Sequence, residues 1–288
     1  MRRSRRDAPT YAAPGTSNKM DRWLFLDSDP APGAENMALD ELLLERAERR
    51  GGAPVVRLYS FDPPAITFGA HQDPGKILDL DAVRADGLGC VRRITGGRAL
   101  LHEGELTYCV VAPARCARFG AGLNETHLRL SRALAAAIGS LGLAAEVSRG
   151  RELPRPKGIP PPCLSSVTRC ELTVGGRKIA GSAQRQTAAA FLQHGSLLVR
   201  PGSERIVKYL RGSWNSLEGR VTTIEGELGR PVDDCLLRGS IMNAFSALFE
   251  IGWEPLRLSE REEEWIAARS REKRREMDEI RSPEVCSP

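Results

Sequence analysis

The chain has few aromatic residues, with Phe, Trp and Tyr together at 5%, and only four histidines, scattered at His71, His102, His127 and His194. It contains no His-Glu-x-x-His run and no Cys-x-x-Cys pair, so the spacings that build zinc sites are missing and no metal is expected. There is no Gly-x-Gly-x-x-Gly. The nearest approach to a phosphate-binding loop, Gly75-Lys76, lacks both the upstream glycine and the Ser or Thr that would hold magnesium. Ordinary nucleotide folds are thereby disfavoured. A Gly-x-Ser-x-Gly elbow is absent too, which removes the usual serine-hydrolase signature. No apolar stretch follows the arginine-rich start, and the most apolar window, Ala133 to Ala145, is interrupted by Gly139, Ser140 and Gly142. Neither export nor a membrane span is expected from such a pattern. Seven cysteines, an odd count without a regular framework, fit reduced thiols in a cytoplasmic protein. The sequence shows no internal repeat.

What is present is enough chain for one large or two small globular domains: 288 residues, 41% hydrophobic and 27% charged. The net charge is +5, but +4 of it falls in the first 20 residues, where Arg2, Arg3, Arg5, Arg6 and Lys19 face Asp7 alone. This segment is read as a disordered basic tail, with attraction to RNA or an acidic partner as the alternative. The remainder is almost neutral, so no nucleic-acid partner is expected for the folded part.

Hydrophobic spacing predicts a strand at Trp23–Leu26 and a helix beginning near Asn36 and ending at Gly51-Gly52. Strands follow at Val55–Tyr59 and Ala65–Phe68, a short helix at Asp79–Arg84, then strands at Val91–Thr95 and Glu105–Ala112. A long helix is expected from about Asn124 to Leu141, with Asn124-Glu125-Thr126 read as a helix cap rather than a glycosylation acceptor. Prolines make Arg151–Pro162 a loop. Glu171–Val174 and Arg177–Arg185 read as a hairpin turning on Gly175-Gly176, and Phe191–Val199 as another strand. Helices are then expected at Glu204–Arg211 and Asp233–Ile251, with a last one opened by the capping box Ser259-x-x-Glu262. Strands interleaved with helices, several in hairpins, point to an α+β fold.

Two segments are dense in special residues. The first runs Arg92-Arg93-Ile-Thr-Gly96-Gly97-Arg98 to His102 and on to Tyr108. It suits a strand ending in a bend where backbone amides approach a ligand, with arginines for an anionic or carbonyl-bearing group. Taken alone, the segment reads more simply as a tight turn with solvated arginines. The second runs from Cys163 through Cys170 and Glu171 to Lys178, Gly181 and Gln184. A thiolate is the nucleophile for thioester chemistry, and a nearby ammonium lowers the thiol pKa and polarises an acyl carbonyl. Alternation puts Lys178 with Ala180 and Ser182, small neighbours that leave room for substrate. An ordinary loop cysteine and a hairpin-edge lysine remain the plain alternative.

Arg92-Arg93-x-Thr-Gly-Gly-Arg-Ala-Leu-Leu-His102 with Glu105-Leu-Thr-Tyr108 resembles the signature of the biotin/lipoate A/B protein ligase family. Gly176-Arg-Lys178-Ile-Ala-Gly181-Ser-Ala-Gln184 with Gln193-His-Gly-Ser196 resembles its second signature, and Asn36-Met-Ala-Leu-Asp40-Glu41 its N-terminal helix. The resemblance spans roughly residues 21 to 255 and implies a mixed, largely antiparallel central sheet flanked by helices, like class II aminoacyl-tRNA and biotin synthetases. Residues 1–20 are then a tail, 21–255 the catalytic domain and 256–288 a C-terminal helical extension. Cys163-Leu-Ser-Ser-Val-Thr-Arg-Cys170-Glu171-Leu172 is similar to the Cys-Phe-x-x-x-Ser-x-x-Glu-Leu of one octanoyltransferase branch, although Leu164, Val167 and Cys170 depart from it. Arg98 stands where the ATP-dependent ligases commonly have a third glycine. The resemblance implies an octanoyltransferase acting without ATP, cofactor or metal, with octanoyl-acyl carrier protein as donor and a lipoyl domain, such as glycine cleavage H protein, as acceptor. It carries over Cys163 as acyl-accepting nucleophile and Lys178 as its carbonyl-polarising, proton-shuttling partner. Arg93, Gly96, Gly97, His102 and Gly181 are placed around the acyl site, His102 alternatively being structural, as His194 is read to be. The rival readings are an ATP-dependent lipoate ligase, an amidotransferase between lipoyl domains, and a non-enzymatic effector-binding protein.

Overall fold

The computed structural model describes residues 21–120, 122–148, 150, 170–212 and 217–281. Its strands in chain order are β1 (Asp21–Asp27), β2 (Val55–Tyr59), β3 (Ala65–Phe68), β4 (Gly89–Arg92), β5 (Leu100–His102), β6 (Glu105–Pro113), β7 (Glu146–Val147), β8 (Leu172–Val174), β9 (Arg177–Gln186), β10 (Ala190–Leu198) and β11 (Ile251–Pro255). The helices are α1 (Gly33–Arg50), α2 (Pro74–Ile77), α3 (Leu80–Ala85), α4 (Leu123–Ser140), α5 (Ile224–Leu228), α6 (Asp234–Phe249) and α7 (Glu260–Arg281), and a 3-10 helix spans Ser203–Tyr209.

The main sheet has the order β11-β1-β2-β6-β10-β9-β8-β7, and a smaller one β4-β3-β5. In the main sheet β1 runs parallel to both β11 and β2, and every other neighbouring pair is antiparallel. The fold is therefore α+β with a mixed, largely antiparallel sheet, as expected. Period-two alternation distributes side chains to the two faces. From β6, Leu106, Tyr108, Val110 and Ala112 pack with α4 and α6 on one face, whereas Cys109 and Val111 pack against α1 on the other. From β10, Ala190 and Leu192 share that second face with α1, and the same row continues as His194 and Ser196. The apolar row thus turns polar towards one end of the sheet.

The hairpin of β8 and β9 turns on Gly175 and Gly176, whose φ values of 54° and 76° suit a two-residue turn that only glycine adopts easily. Several boundaries differ from expectation. β4 stops at Arg92 because the Arg93 guanidinium folds back on the carbonyls of Gly96 and Arg98, closing the next residues into a loop. Asn124 does not cap α4: the N-cap is Gly122, and Asn124 already lies in the first turn. The stretch after Asp233 is divided, since α6 ends at Glu250 in a left-handed conformation (φ 53°) and the chain leaves as β11 to pair with β1. The helix expected at Glu204–Arg211 is instead the 3-10 helix over Ser203–Tyr209. Residues 1–20 and the Arg151–Pro162 loop lie outside the described residues.

Helix α7 opens with the expected box, Glu262 Oε2 accepting from Ser259 N at 2.9 Å. It lies across α1 and β4: Arg269 donates to Glu41 at 2.6 Å, and Arg92 pairs with Glu276 at 2.6 Å. No described helix is long and apolar enough to cross a membrane.

Trp23, 1% exposed, links the first strand to the core on the α4 side, with ring centroids 5.0 Å from Phe119 and 4.9 Å from Phe249. Trp23→Ala empties that junction and is expected to lower the unfolding free energy by about 3–5 kcal/mol in urea titration. A loss below about 1 kcal/mol would show that the ring is not part of the cooperative core.

Candidate active site

A pocket lies where the polar end of the main sheet faces the smaller sheet. Its walls are largely apolar: Met37 from α1, Tyr59 from β2 and Leu100 from β5 contribute, and backbone is exposed at Gly181 and Gly195. Thr107, Ser196, His102 and Arg93 put polar groups at its edge. A narrow, mostly apolar cavity with a few fixed polar groups suits a small acyl ligand. Gly195 is required by close approach, because a Cβ there would stand 2.5 Å from the Gly181 carbonyl oxygen. Gly97, at φ 93°, adopts a conformation that side chains resist, and a Cβ would stand 2.7 Å from Arg93 Nη2.

Arg93 is 5% exposed and braces its own loop. Its Nη2 donates to the carbonyls of Gly96 at 2.8 Å and Arg98 at 2.9 Å, while Nη1 reaches Thr67 Oγ1 at 3.2 Å. Thr67 Oγ1 also meets His102 Nε2 at 2.9 Å. The other His102 nitrogen lies 3.1 Å from Glu105 Oε1, and the ring stacks on Phe61 at 3.9 Å. His102 is thus held on three sides while remaining in the pocket wall.

His194 is held as firmly. Its Nδ1 lies 2.8 Å from Asp40 Oδ2 and its Nε2 2.7 Å from Thr95 Oγ1. Asp40 accepts further bonds from Arg57 Nη1 and Tyr59 Oη, each at 2.8 Å. Burial opposes the charge on Asp40, but the His194 bond and the Arg57 guanidinium outweigh it and hold the carboxyl below its usual range. Burial likewise pushes the His194 imidazole down, more strongly than Asp40 pulls it up, so the ring is neutral near pH 7. A neutral ring then donates from Nδ1 to the carboxylate and accepts the Thr95 hydroxyl at Nε2. The loop of Thr95, Gly96 and Gly97 is thereby tied to α1 and β2.

Lys178 and Glu171 form an ion pair of 2.5 Å with the two side chains only 1% and 5% exposed. The pair sits on the β8–β9 hairpin, and the Lys178 backbone is fixed on both sides, its N donating to the Arg220 carbonyl and its O accepting from Thr222 N, both at 2.9 Å. Further along β9, Ser182 Oγ lies 2.6 Å from Tyr108 Oη, which accepts from Gln193 Nε2 at 2.7 Å. Burial pushes the Tyr108 phenol up to about 12, so it stays protonated.

Of the residues expected at the site, Arg93, Gly97, His102 and Gly181 line the pocket together, and Gly96 supports it through its carbonyl. Lys178 does not line it; about three strand residues, roughly 10 Å, separate it from Gly181. Its expected open surroundings are instead a closed ion pair, and β9 lies between β8 and β10 rather than at an edge. Cys163 lies outside the described residues. The described residues resume at Cys170, immediately before Glu171. Asp40, Tyr108 and Glu171 stand within the matched segments but were given no role there. His194, read as structural, is both a brace and part of the pocket wall.

The Lipoyl protein ligase A/B catalytic domain matches residues 32–246. The chain belongs to this family. Among its relatives, the protein named Octanoyltransferase LipM from Symbiobacterium thermophilum is 38% identical, covering 84% of this chain and 91% of that one. The protein of the same name from Moorella thermoacetica is 34% identical over 84% of this chain and 92% of its own. Among solved structures, lipoate-protein ligase A bound with ATP superposes with a TM-score of 0.72 at 22% identity, covering 87% of this chain and 94% of that one, a likeness of fold.

The neutral, buried His194 has a pH consequence. A histidine whose folded pKa is lowered contributes stability above its unfolded pKa, near 6.5, and loses it as the pH falls, with a slope of up to about 1.4 kcal/mol per pH unit. Stability measured by urea titration is expected to fall between about pH 7 and 5, and His194→Gln to flatten that slope while lowering stability at pH 7. An unchanged slope in the variant would show that folding does not lower the His194 pKa.

Proposed function

We propose that this protein is an octanoyltransferase that takes an octanoyl group from acyl carrier protein onto the sulfur of Cys163 and passes it to a lysine of a lipoyl domain, such as glycine cleavage H protein. The observation that carries this reading is the buried Lys178–Glu171 pair, whose Glu171 follows Cys163 by eight residues in the sequence. The names of the two relatives, each covered over more than nine-tenths of its length, support the same activity.

The chemistry follows from the groups. In the first half, the Cys163 thiolate attacks the donor carbonyl; a carbon–sulfur bond to the enzyme forms, that to the carrier breaks, and the carrier sulfur takes the proton given up by Cys163. Lys178 favours the thiolate and polarises the carbonyl, and the apolar pocket walls accept the acyl chain. In the second half, the acceptor amine attacks the acyl-enzyme; a carbon–nitrogen bond forms and the thiolate leaves. A thioester is already an activated acyl group, so ATP is not required.

Intact mass after mixing with octanoyl-acyl carrier protein, without ATP, is expected to rise by one octanoyl group in the wild type and not in Cys163→Ala. Lys178→Ala is expected to slow loading by about 10²-fold or more. Labelling of a lipoyl domain only when ATP and free octanoate are supplied, and undiminished in Cys163→Ala, would replace this reading with that of a ligase.

A further inference from the structure

Two cavities meet at His102. It stands in the wall of the pocket described above and also in that of a second cavity, lined by Phe61, Glu105 and Leu106 among others; among the described residues no other one lines both. The partition follows the chain on either side of the ring. Tyr59 and Thr107 line the first cavity, whereas Phe61 and Glu105, each two residues away, line the second. The ring is 5% exposed and fixed in place: Phe61 stacks on it, and its two nitrogens lie 3.1 Å from Glu105 Oε1 and 2.9 Å from Thr67 Oγ1.

The first cavity has a direction. Register sets Gly181 of β9 opposite Ser196 of β10, Ser196 opposite Thr107 of β6, and Thr107 opposite Tyr59 of β2; all four line the pocket, which therefore crosses the sheet along one row. At the β9 end Ser182 and Ala183 are half-buried and Gly97 is exposed, and a Cβ on Gly97 would stand 3.8 Å from that of Ala183. At the other end Thr107, Tyr59 and His102 are buried, with His102 Nδ1 3.4 Å from Ser196 Oγ. A chain entering beside β9 thus ends against His102. Two strand spacings, about 9.5 Å, separate β9 from β6. An extended chain advances roughly 1.2 Å per single bond, as the peptide backbone does, so this depth holds about eight bonds. The polar atoms of the wall do not oppose an alkyl end, because they are paired within the protein: Thr67 Oγ1 also accepts from Arg93 Nη1 at 3.2 Å, and Thr107 donates to Glu105 Oε2 at 2.6 Å.

We propose that His102 is the end wall of the acyl pocket and sets the chain length, its ring keeping chains longer than about eight carbons out of the cavity behind it. The proposal rests on reading this pocket as the acyl site of the octanoyltransferase, but no part of it depends on Cys163.

Calorimetric titration with the straight-chain acids butanoate, hexanoate, octanoate, decanoate and dodecanoate tests it. Each added methylene is expected to tighten binding to the wild type about fourfold up to octanoate. Dodecanoate is expected to bind at least about tenfold more weakly than octanoate, because the wall leaves no room for it. In His102→Ala, which joins the two cavities, and in His102→Asn, which is smaller yet keeps a donor for Glu105, this ratio is expected to fall to about threefold or less. A variant that is folded, as judged by its Tm, and keeps the tenfold ratio would overturn the proposal. So would binding weakened by the same factor at every length, which a purely structural histidine gives, a wild-type affinity that climbs on to dodecanoate, or no binding of any acid in the series. Intact mass follows the other reading separately: a wild type that octanoyl-acyl carrier protein never acylates overturns the proposed function and leaves the chain-length series to decide on His102.

Discussion

Asp40 is the constraint around which the site is organised. A carboxylate 1% exposed on the buried, mostly apolar face of α1 is costly unless every lone pair is used, and here Arg57, Tyr59 and His194 all donate to it. Arg57 in turn spans Ser28 Oγ at 2.9 Å and Asn36 Oδ1 at 2.5 Å, so α1 is locked to the first two strands. Through His194 the network reaches Thr95 and fixes the loop that Arg93 braces from the other side. Removing one member of such a cluster leaves another charge buried without its partner, which is why α1, β2, β10 and the loop behave as one unit.

The two faces of the sheet do different work. One is filled by α4 and α6 and supplies most of the apolar burial, while the other gives way from the α1 contact to the pocket along the same strands. Ala190 and Leu192 hold α1; His194 and Ser196, two and four residues further along β10, face the pocket. Position along a strand therefore decides between packing and chemistry. Helix α7 extends the braced region, since Glu41 and Arg92, next to Asp40 and Arg93, both bind it.

Local signals made much of this legible. Gly175-Gly176 announced its hairpin, Ser259-x-x-Glu262 its helix, and Thr95-Gly96-Gly97 a backbone approach, because each depends on neighbouring residues alone. The parallel pairing of β11 with β1 joins Ile251 to Asp21 and had no local trace. Asp40 stood in a matched signature on a leucine-rich helix, but its three donors come from elements distant in sequence. Glu171 was visible as a residue but not as the partner of Lys178, a relation set by a hairpin irregularity between Leu172 and Thr173.

In the proposed covalent mechanism, Cys163 is loaded with the octanoyl group and then discharged onto an amine. Kinetic competence tests it most directly. Rapid-quench sampling of one turnover, with octanoyl-acyl carrier protein and a lipoyl domain both present, should show acyl-Cys163 rising before product and decaying at the rate at which the octanoylated lipoyl domain appears. Product accumulating faster than acyl-Cys163 decays, or without its forming, would contradict the account.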